Sequence, residues 1–370
     1  MGASLVSSAV PEIVELFLEL AAIPSPPGEE RAVADVVTRY LHDLGLSSDE
    51  DGFGNVYARI EPEGEGTPLF FCAHMDTVPP DGTLEPVVDD DVIRNAGGTI
   101  LGADNKSAVV AMLEGARRVL AEGRPHAGIE LLFTRQEEVG LLGASAFDHT
   151  RLRAQLGYVY DQAAPIGEII LGAPFAQGIE VTFHGRAAHS GMFPEEGRSA
   201  IQAAAKAIAD FRLGRIDEEA TANVGVISGG TAGNIVPEWC TFLAEARCHD
   251  ERRLNDLVQE MIDACTFAAT STDCEVSTEL RKTYRGYRFG KGDDVVRLAA
   301  VALERCGYPV SYALSGGAAD ANSFNERGLR CVNLANGMTD IHTPNEHISV
   351  ADLEGMVDVT LALVEGARAA

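Results

Sequence analysis

Short apolar runs closed by a turn residue or a carboxylate alternate, through the first half of this chain, with longer stretches whose apolar positions recur at helical spacing. Leu69–Ala73, Ile129–Thr134 and Leu156–Tyr160 read as buried strands, and Asn55–Ile60 as a fourth. Helical spacing runs from about Val10 to Ala22, from Glu29 to Leu44 and from Lys106 to Glu122. Strands that are apolar throughout are covered on both faces, so their recurrence between helices predicts an α/β fold built on a doubly wound mixed sheet.

Between about Phe175 and Tyr284 the pattern changes. GIEVTFHG, ANVGVISGG, CTFLAEARCHD and CEVSTELRKTYRG read as strands, with helices over Ala200–Phe211 and Glu251–Ala268. This reads as an inserted α+β domain of four strands and two helices. The α/β pattern resumes with a helix over Asp294–Cys306, the run Arg330–Leu334 and a helix over Val350–Ala367. The expected organisation is therefore a discontinuous catalytic domain, residues 1–174 and 286–370, interrupted by a lid at 175–285. A chain of 370 residues exceeds what one core usually supports, which agrees with two domains.

Charge excludes several functions. With 56 acidic against 29 basic residues the net charge is -27, which repels nucleic-acid phosphates and anionic membrane surfaces alike. No apolar run approaches the roughly 20 residues that cross a bilayer. The segment MGASLVSSAVPEIVELFLEL lacks a basic start and sets Glu12, Glu15 and Glu19 among its apolar residues, unlike a signal peptide. Seven scattered cysteines, none in a CxxC pair, suit reduced thiols in the cytoplasm rather than disulfides or a zinc–thiolate site.

The chemistry gathers at strand ends. In PLFFCAHMDTVPP a strand leads into His74 and Asp76, whose two-residue spacing puts both side chains on one face. A metal-bound imidazole usually donates its second N–H to a carboxylate, and Asp76 is placed to accept it. In GTILGADNKSAVV, Asp104 stands at a helix start, where it can cap the helix or bridge two metals with its two oxygens. IELLFTRQEEVGLLGA ends a strand on adjacent Glu137 and Glu138, which are costly to bury without cations. One can ligate a metal while the other faces a substrate as a base. Asp161 ends the run LGYVYD, and His342 lies in the loop IHTPNEHIS. Imidazoles and carboxylates without thiolate suit a dinuclear zinc or cobalt site, and strand ends of an open α/β sheet are where such folds place their sites.

HMDTVP, GADNKSAVV, RQEEVGLLGA, the YD at 160–161 and HTPNEHIS, in this order and over nearly the whole chain, resemble the peptidase T, carboxypeptidase G, aminoacylase and succinyl-diaminopimelate desuccinylase family of metallo-amidohydrolases. The resemblance implies two divalent ions, zinc with cobalt or manganese as alternatives. His74 and Asp161 would hold one ion, Glu138 and His342 the other, and Asp104 would bridge them. Glu137 matches the family's general base and Asp76 the residue that orients the metal-bound histidine. HGRAAHSGMFPEEGRSAI resembles the lid signature whose histidine, here His189, stabilises the developing oxyanion. In ISGGTAGNIVPEWCTFLAEAR the matching Asn234 and Arg247 would contact the substrate or its carboxylate, for which the planar guanidinium is suited. Gly316 and Gly317, in LSGGAADANSF, offer backbone N–H groups to a ligand or form a simple turn.

The mechanism so implied is amide hydrolysis by a metal-bridging water that Glu137 deprotonates. MFPEEGRSA and the HMDTVPP to GADNK spacing look closest to peptidase T, which points to a di- or tripeptide exopeptidase. The same ligands would serve an N-acyl-amino-acid amidohydrolase, and a non-catalytic metal-containing binding protein is a third reading that an intact Glu137 opposes. Lids of the family often pair edge strands into homodimers, sometimes lending the histidine in trans. The sequence leaves open whether this one does. The other six histidines, His42, His126, His149, His184, His249 and His347, carry no such context.

Overall fold

The computed structural model describes residues 11–368; the beginning of the segment read as a first helix from Val10, and the stretch MGASLVSSAV as a whole, lie outside the described residues. The chain divides into two compact units. One comprises the residues up to Leu171, Phe289–Leu314 and those from Ala319 on; the other comprises Gly172–Arg288 and Ser315–Ala318. Gly316 and Gly317 thus fold with the inserted unit.

The strands of the larger unit are β1 (Ser48–Glu50), β2 (Val56–Ile60), β3 (Leu69–His74), β4 (Ile129–Thr134), β5 (Leu156–Gln162), β6 (Glu168–Ala173, which runs on into the insertion), β7 (Ser311–Leu314) and β8 (Arg330–Ala335). They line up as β1-β2-β4-β3-β5-β8-β6, with β7 beside β6. β4, β3, β5 and β8 are mutually parallel, and β2 and β6 flank them antiparallel. Every side chain of β3 and β4 is buried, as expected of strands covered on both faces. Two details show how tightly the sequence suits this sheet. Gly157 lies under the Phe70 ring, where a Cβ would collide with the ring carbons. Glu130, buried in the middle of the strands, accepts from Tyr57 Oη at 2.6 Å, Arg59 Nε at 3.0 Å and the amides of Arg153 at 2.9 Å and Ala154 at 2.8 Å. A buried charge so satisfied is tolerated where a bare one would not be.

The helix Ala103–Glu122 is buried around most of its circumference and packs against Val350–Gly366 and Glu12–Ala21. It stops at Gly123, whose φ of +60° forms a left-handed cap. The helix Val350–Gly366 starts at Ser349, whose Oγ accepts the Asp352 amide at 2.9 Å. A small second sheet, absent from the sequence reading, pairs His347–Ser349 with Val92–Asn95 and that strand with Pro86–Asp89. No helix of the described residues is long and apolar enough to cross a membrane.

The inserted unit is an antiparallel sheet in the order Gly214–Arg215, Ala220–Gly229, Trp239–Cys248, Phe175–His184, Glu275–Tyr284. It has the four expected strands and a two-residue fifth at one edge, too short to leave a periodic signal. Burial alternates along Trp239–Cys248, the pattern of a sheet with one packed face. The helices Ala200–Asp210 and Glu251–Thr272 supply the cover, started by Ser199 and Asp250 as side-chain caps.

Candidate active site

Parallel strands β3, β4 and β5 all end at one edge of the sheet, so the residues that follow their last apolar positions are brought together there. His74 is the final residue of β3, Asp161 is the second-to-last residue of β5, and Glu137 and Glu138 follow β4 within four residues. A left-handed Gln136, φ +54°, turns the chain between β4 and the two glutamates. Arg135 and Glu30 brace that turn: the guanidinium donates to Glu30 Oε2 at 2.6 Å, and Glu30 Oε1 accepts the Gln136 amide at 3.1 Å.

The five predicted metal ligands form one cluster. His74 Nε2 stands 3.1 Å from Asp104 Oδ1 and 3.7 Å from Asp161 Oδ1. His342 Nε2 stands 3.1 Å from Asp104 Oδ2 and 3.0 Å from Glu138 Oε1. Each oxygen of Asp104 therefore faces a different imidazole, and each Nε2 has one further carboxylate beside it. Donor atoms of His74, Asp104 and Glu138 lie within 4.8 Å of one another, as do those of His74, Glu137 and Asp161. Either group could hold a metal ion.

Asp104 caps no helix. The cap position is Gly102, and Asp104 and Asn105 leave helical geometry at φ/ψ of -81/103° and -122/28°, with a cis bond between them. Asp76 does more than expected. The nearest acceptor to His74 Nδ1 is the backbone carbonyl of Asp76 at 2.9 Å, with the carboxylate at 3.5 Å. The carboxylate also accepts the amides of Glu137 at 3.0 Å and Glu138 at 3.1 Å, one on each oxygen. It thereby fixes the main chain of both acids.

The electrostatics show what the cluster is suited to hold. Burial pushes the Asp161 carboxyl up to about 7, helped by the charge on Asp104. Burial likewise drives Glu137 well above the carboxylate range, with Asp161, Asp320 and Glu138 adding to it against the pull of His74. For Asp104, burial is outweighed by hydrogen bonds from His342 and His74, and its carboxyl falls below its ordinary value. His342 is held as an imidazolium up to about 10 by its bonds to Asp104 and Glu138. For His74, burial is outweighed by hydrogen bonds to Asp104, Asp161 and Asp76, and its pKa rises well above that of a free imidazole. Four carboxylates around two imidazoles are an excess of negative charge that protons only partly relieve, and the nitrogen and oxygen donors suit divalent cations.

Three neighbours carried no assignment from sequence. Asp320 is buried; its Oδ2 accepts from Thr134 Oγ1 at 2.5 Å and Cys72 Sγ at 3.5 Å, and burial pushes its carboxyl up to about 6. Lys106 is buried with its ammonium donating to the Ile23 carbonyl at 2.6 Å, and burial lowers its pKa to about 7. Glu346 is buried beside the Asp104 segment. Lys106 and Glu346 stand inside motifs already singled out, GADNK and HTPNEH, but nothing in their spacing tells what they touch.

The remaining candidates belong to the inserted unit. His189 is exposed, and its Nδ1 accepts the amides of Gly191 and Met192 at 3.2 Å each. That bonding requires the proton on Nε2, so the imidazole presents an N–H outward. The Asn234 carbonyl accepts the Ser190 amide at 3.0 Å. Arg247 pairs with Glu245 at 3.0 Å and donates to the Gly316 carbonyl at 3.4 Å, so part of its fork is engaged within the unit. The Gly317 amide donates to Ser315 Oγ at 3.1 Å, as in a simple turn.

Residues 175–272 match the M20 peptidase dimerisation domain, and residues 55–170 match peptidase family M28. The chain is 37% identical to the uncharacterized protein YqjE of Bacillus subtilis over 96% of its own length and 98% of that protein's. A crystal structure of the aminopeptidase PepT from Bacillus cereus is similar with a TM-score of 0.89 at 37% identity, covering 96% of this chain and 98% of that one. A tripeptidase from Staphylococcus aureus is similar with a TM-score of 0.92 at 33% identity, covering 97% of this chain and 98% of that one.

Proposed function

Because the chain belongs to the M20 peptidase family, we propose that it is a metal-dependent exopeptidase acting on di- or tripeptides, with Glu137 as its general base. The observation that carries this reading is the placement of Asp104 with one oxygen 3.1 Å from His74 Nε2 and the other 3.1 Å from His342 Nε2. A carboxylate so shared is the donor arrangement of two cations held side by side. His74 and Asp161 would hold one ion and His342 and Glu138 the other, with Asp104 common to both. Zinc is the expected metal, with cobalt or manganese as substitutes the same donors accept.

When bound, the ions supply Lewis acidity toward the scissile carbonyl and toward water. Glu137 takes the proton of the attacking water on its carboxylate and returns it to the leaving nitrogen. Its burial among other carboxylates raises its affinity for a proton, which suits the group that accepts one from water. Asp76 holds the main chain of Glu137 and Glu138 so that the base and the ligand keep a fixed spacing. His189, whose Nε2–H faces outward, is the donor assigned to the developing oxyanion, and Arg247 and Asn234 are assigned to the peptide's polar groups. The match of residues 175–272 to a dimerisation domain supports a homodimer formed through the insertion. Seven free cysteines support a reducing, cytoplasmic setting.

The test is hydrolysis of a panel of dipeptides, tripeptides and N-acyl amino acids by protein stripped of metal and reloaded with zinc, cobalt or manganese, beside Glu137→Gln. Peptide cleavage restored by metal, and reduced on the order of 10²- to 10⁴-fold in the variant at unchanged metal content, is the expected outcome. Cleavage of N-acyl amino acids alone would move the substrate assignment to the amidohydrolase reading. Failure to bind metal would sink the mechanism.

A further inference from the structure

The loop that carries His342 has a second attachment to the site. Thr339 and His347 exchange both backbone hydrogen bonds, at 3.0 and 3.1 Å, which closes the chain between them into a loop. Glu346 stands at the base of that loop and is 1% exposed. Its carboxylate reaches the start of the Ala103–Glu122 helix. Oε2 accepts the amides of Leu101 at 2.8 Å and Gly102 at 2.9 Å, and Oε1 accepts the amide of Asp104 at 3.0 Å. Helix starts leave such amides without partners in the helix, and here no side chain of the cap position answers them.

We propose that Glu346 is a positioning residue of the active site, gripping the amides on both sides of Ala103 and so setting where the Asp104 carboxylate stands between His74 and His342. The proposal rests on the reading of those residues as metal ligands. Three donors converge on one buried side chain, and a carboxylate is the group that meets them with acceptors only. A glutamine of the same shape would turn an NH₂ toward one of the amides. The grip also joins two ligands mechanically: Glu346 is in the loop of one, His342, and bonded to the main chain of the other, Asp104. Residues that orient metal ligands from behind contribute through placement and touch neither metal nor substrate.

The test uses the full chain loaded with cobalt and compares wild type, Glu346→Gln and Ser349→Ala. The serine variant removes the cap of the following helix without touching the Asp104 segment, so it reports destabilisation alone. For Glu346→Gln, kcat should fall on the order of 10- to 100-fold with KM nearly constant, cobalt affinity should weaken by a similar factor, and the cobalt d–d spectrum should change. Ser349→Ala should retain the wild-type kcat and spectrum. A Glu346→Gln protein with wild-type kcat and spectrum overturns the proposal, as does an equal loss in Ser349→Ala. Hydrogen exchange on the wild type decides the matter if the glutamine variant does not fold: protected amides at Leu101, Gly102 and Asp104 support the grip, and exchange at open-loop rates overturns it. Wild-type protein that binds no cobalt and cleaves no peptide would fail before any variant is made, removing the metallopeptidase reading and the proposal with it.

Discussion

Asp76 is fully buried and its two oxygens accept one amide each, from Glu137 at 3.0 Å and Glu138 at 3.1 Å. Replacing it by asparagine keeps the shape, retains one acceptor and sets an NH₂ group against the second amide. Hydrogen bonds to charged groups contribute about 1.5–3 kcal/mol each and a neutral one about 1 kcal/mol, so Asp76→Asn should lose about 2–5 kcal/mol of stability. The rate should suffer more than fold stability alone implies, because the two amides belong to the proposed base and an adjacent proposed ligand. A displacement of about 1 Å at a reacting group can lower a rate on the order of 10²-fold. Urea unfolding of the metal-free protein measures the first effect, and kcat on a tripeptide with metal content determined in parallel measures the second. A variant within about 0.5 kcal/mol of wild type, with kcat within about twofold, would show that the amide contacts do not hold the base and would refute the argument.

Metal uptake should release protons, because His342 is an imidazolium up to about 10 and Asp161 is protonated up to about 7 in the metal-free protein. Calorimetry in buffers of different ionisation heat should show affinity rising with pH and the proton count falling as pH approaches 10; a pH-independent count refutes it. In the metal-free protein the raised His342 pKa contributes stability that is full below its unfolded value near 6.5 and is lost as pH rises through about 10. The depressed pKa of Lys106, about 7, contributes with the opposite sign over the same range, so the measurement compares wild type with His342→Ala: the difference in thermal midpoint between them should shrink from pH 7 to 10, and a constant difference counts against the His342 contacts. Gly157→Ala drives a Cβ into the Phe70 ring and should lower stability by about 1–3 kcal/mol or more, read from the urea midpoint. Arg212→Ala breaks a pair with Glu260 in which both side chains are 60% exposed, and should change stability by less than about 1 kcal/mol; a larger loss would mean that surface pairs of the insertion contribute beyond their exposure.

The parallel strands were legible because burial on both faces leaves unbroken apolar runs, and Ile129–Thr134 has in the structure the bounds its composition predicts. Strand ends then named the places to look, and His74, Glu138, Asp161, Asp104 and His342 are gathered at one edge of the sheet. What sequence did not disclose is what each side chain touches. The two-residue spacing of Asp76 from His74 accounts for its carboxylate lying 3.5 Å from that imidazole, but not for the amides it serves far along the chain, which no local periodicity encodes. The Ala103–Glu122 helix keeps regular geometry only from Lys106, where its apolar spacing begins, and the amides ahead of it are held by Glu346 from far along the sequence, which no local spacing discloses. The strands Pro86–Asp89 and Val92–Asn95 are short and partly exposed, so they lack both an apolar run and a clean alternation.

The span between His74 and His342 also governs when such a site can come into being. Contacts this distant in sequence have high loop-closure entropy and form late in folding. A nascent chain not yet extended to His342 has neither that residue nor Glu346, whatever the state of its sheet. Divalent ions that bind only the finished arrangement would stabilise it by mass action and leave partial folds unaided. Metal supply would then act as a completion signal, separating finished copies from truncated or misthreaded ones by their resistance to proteolysis.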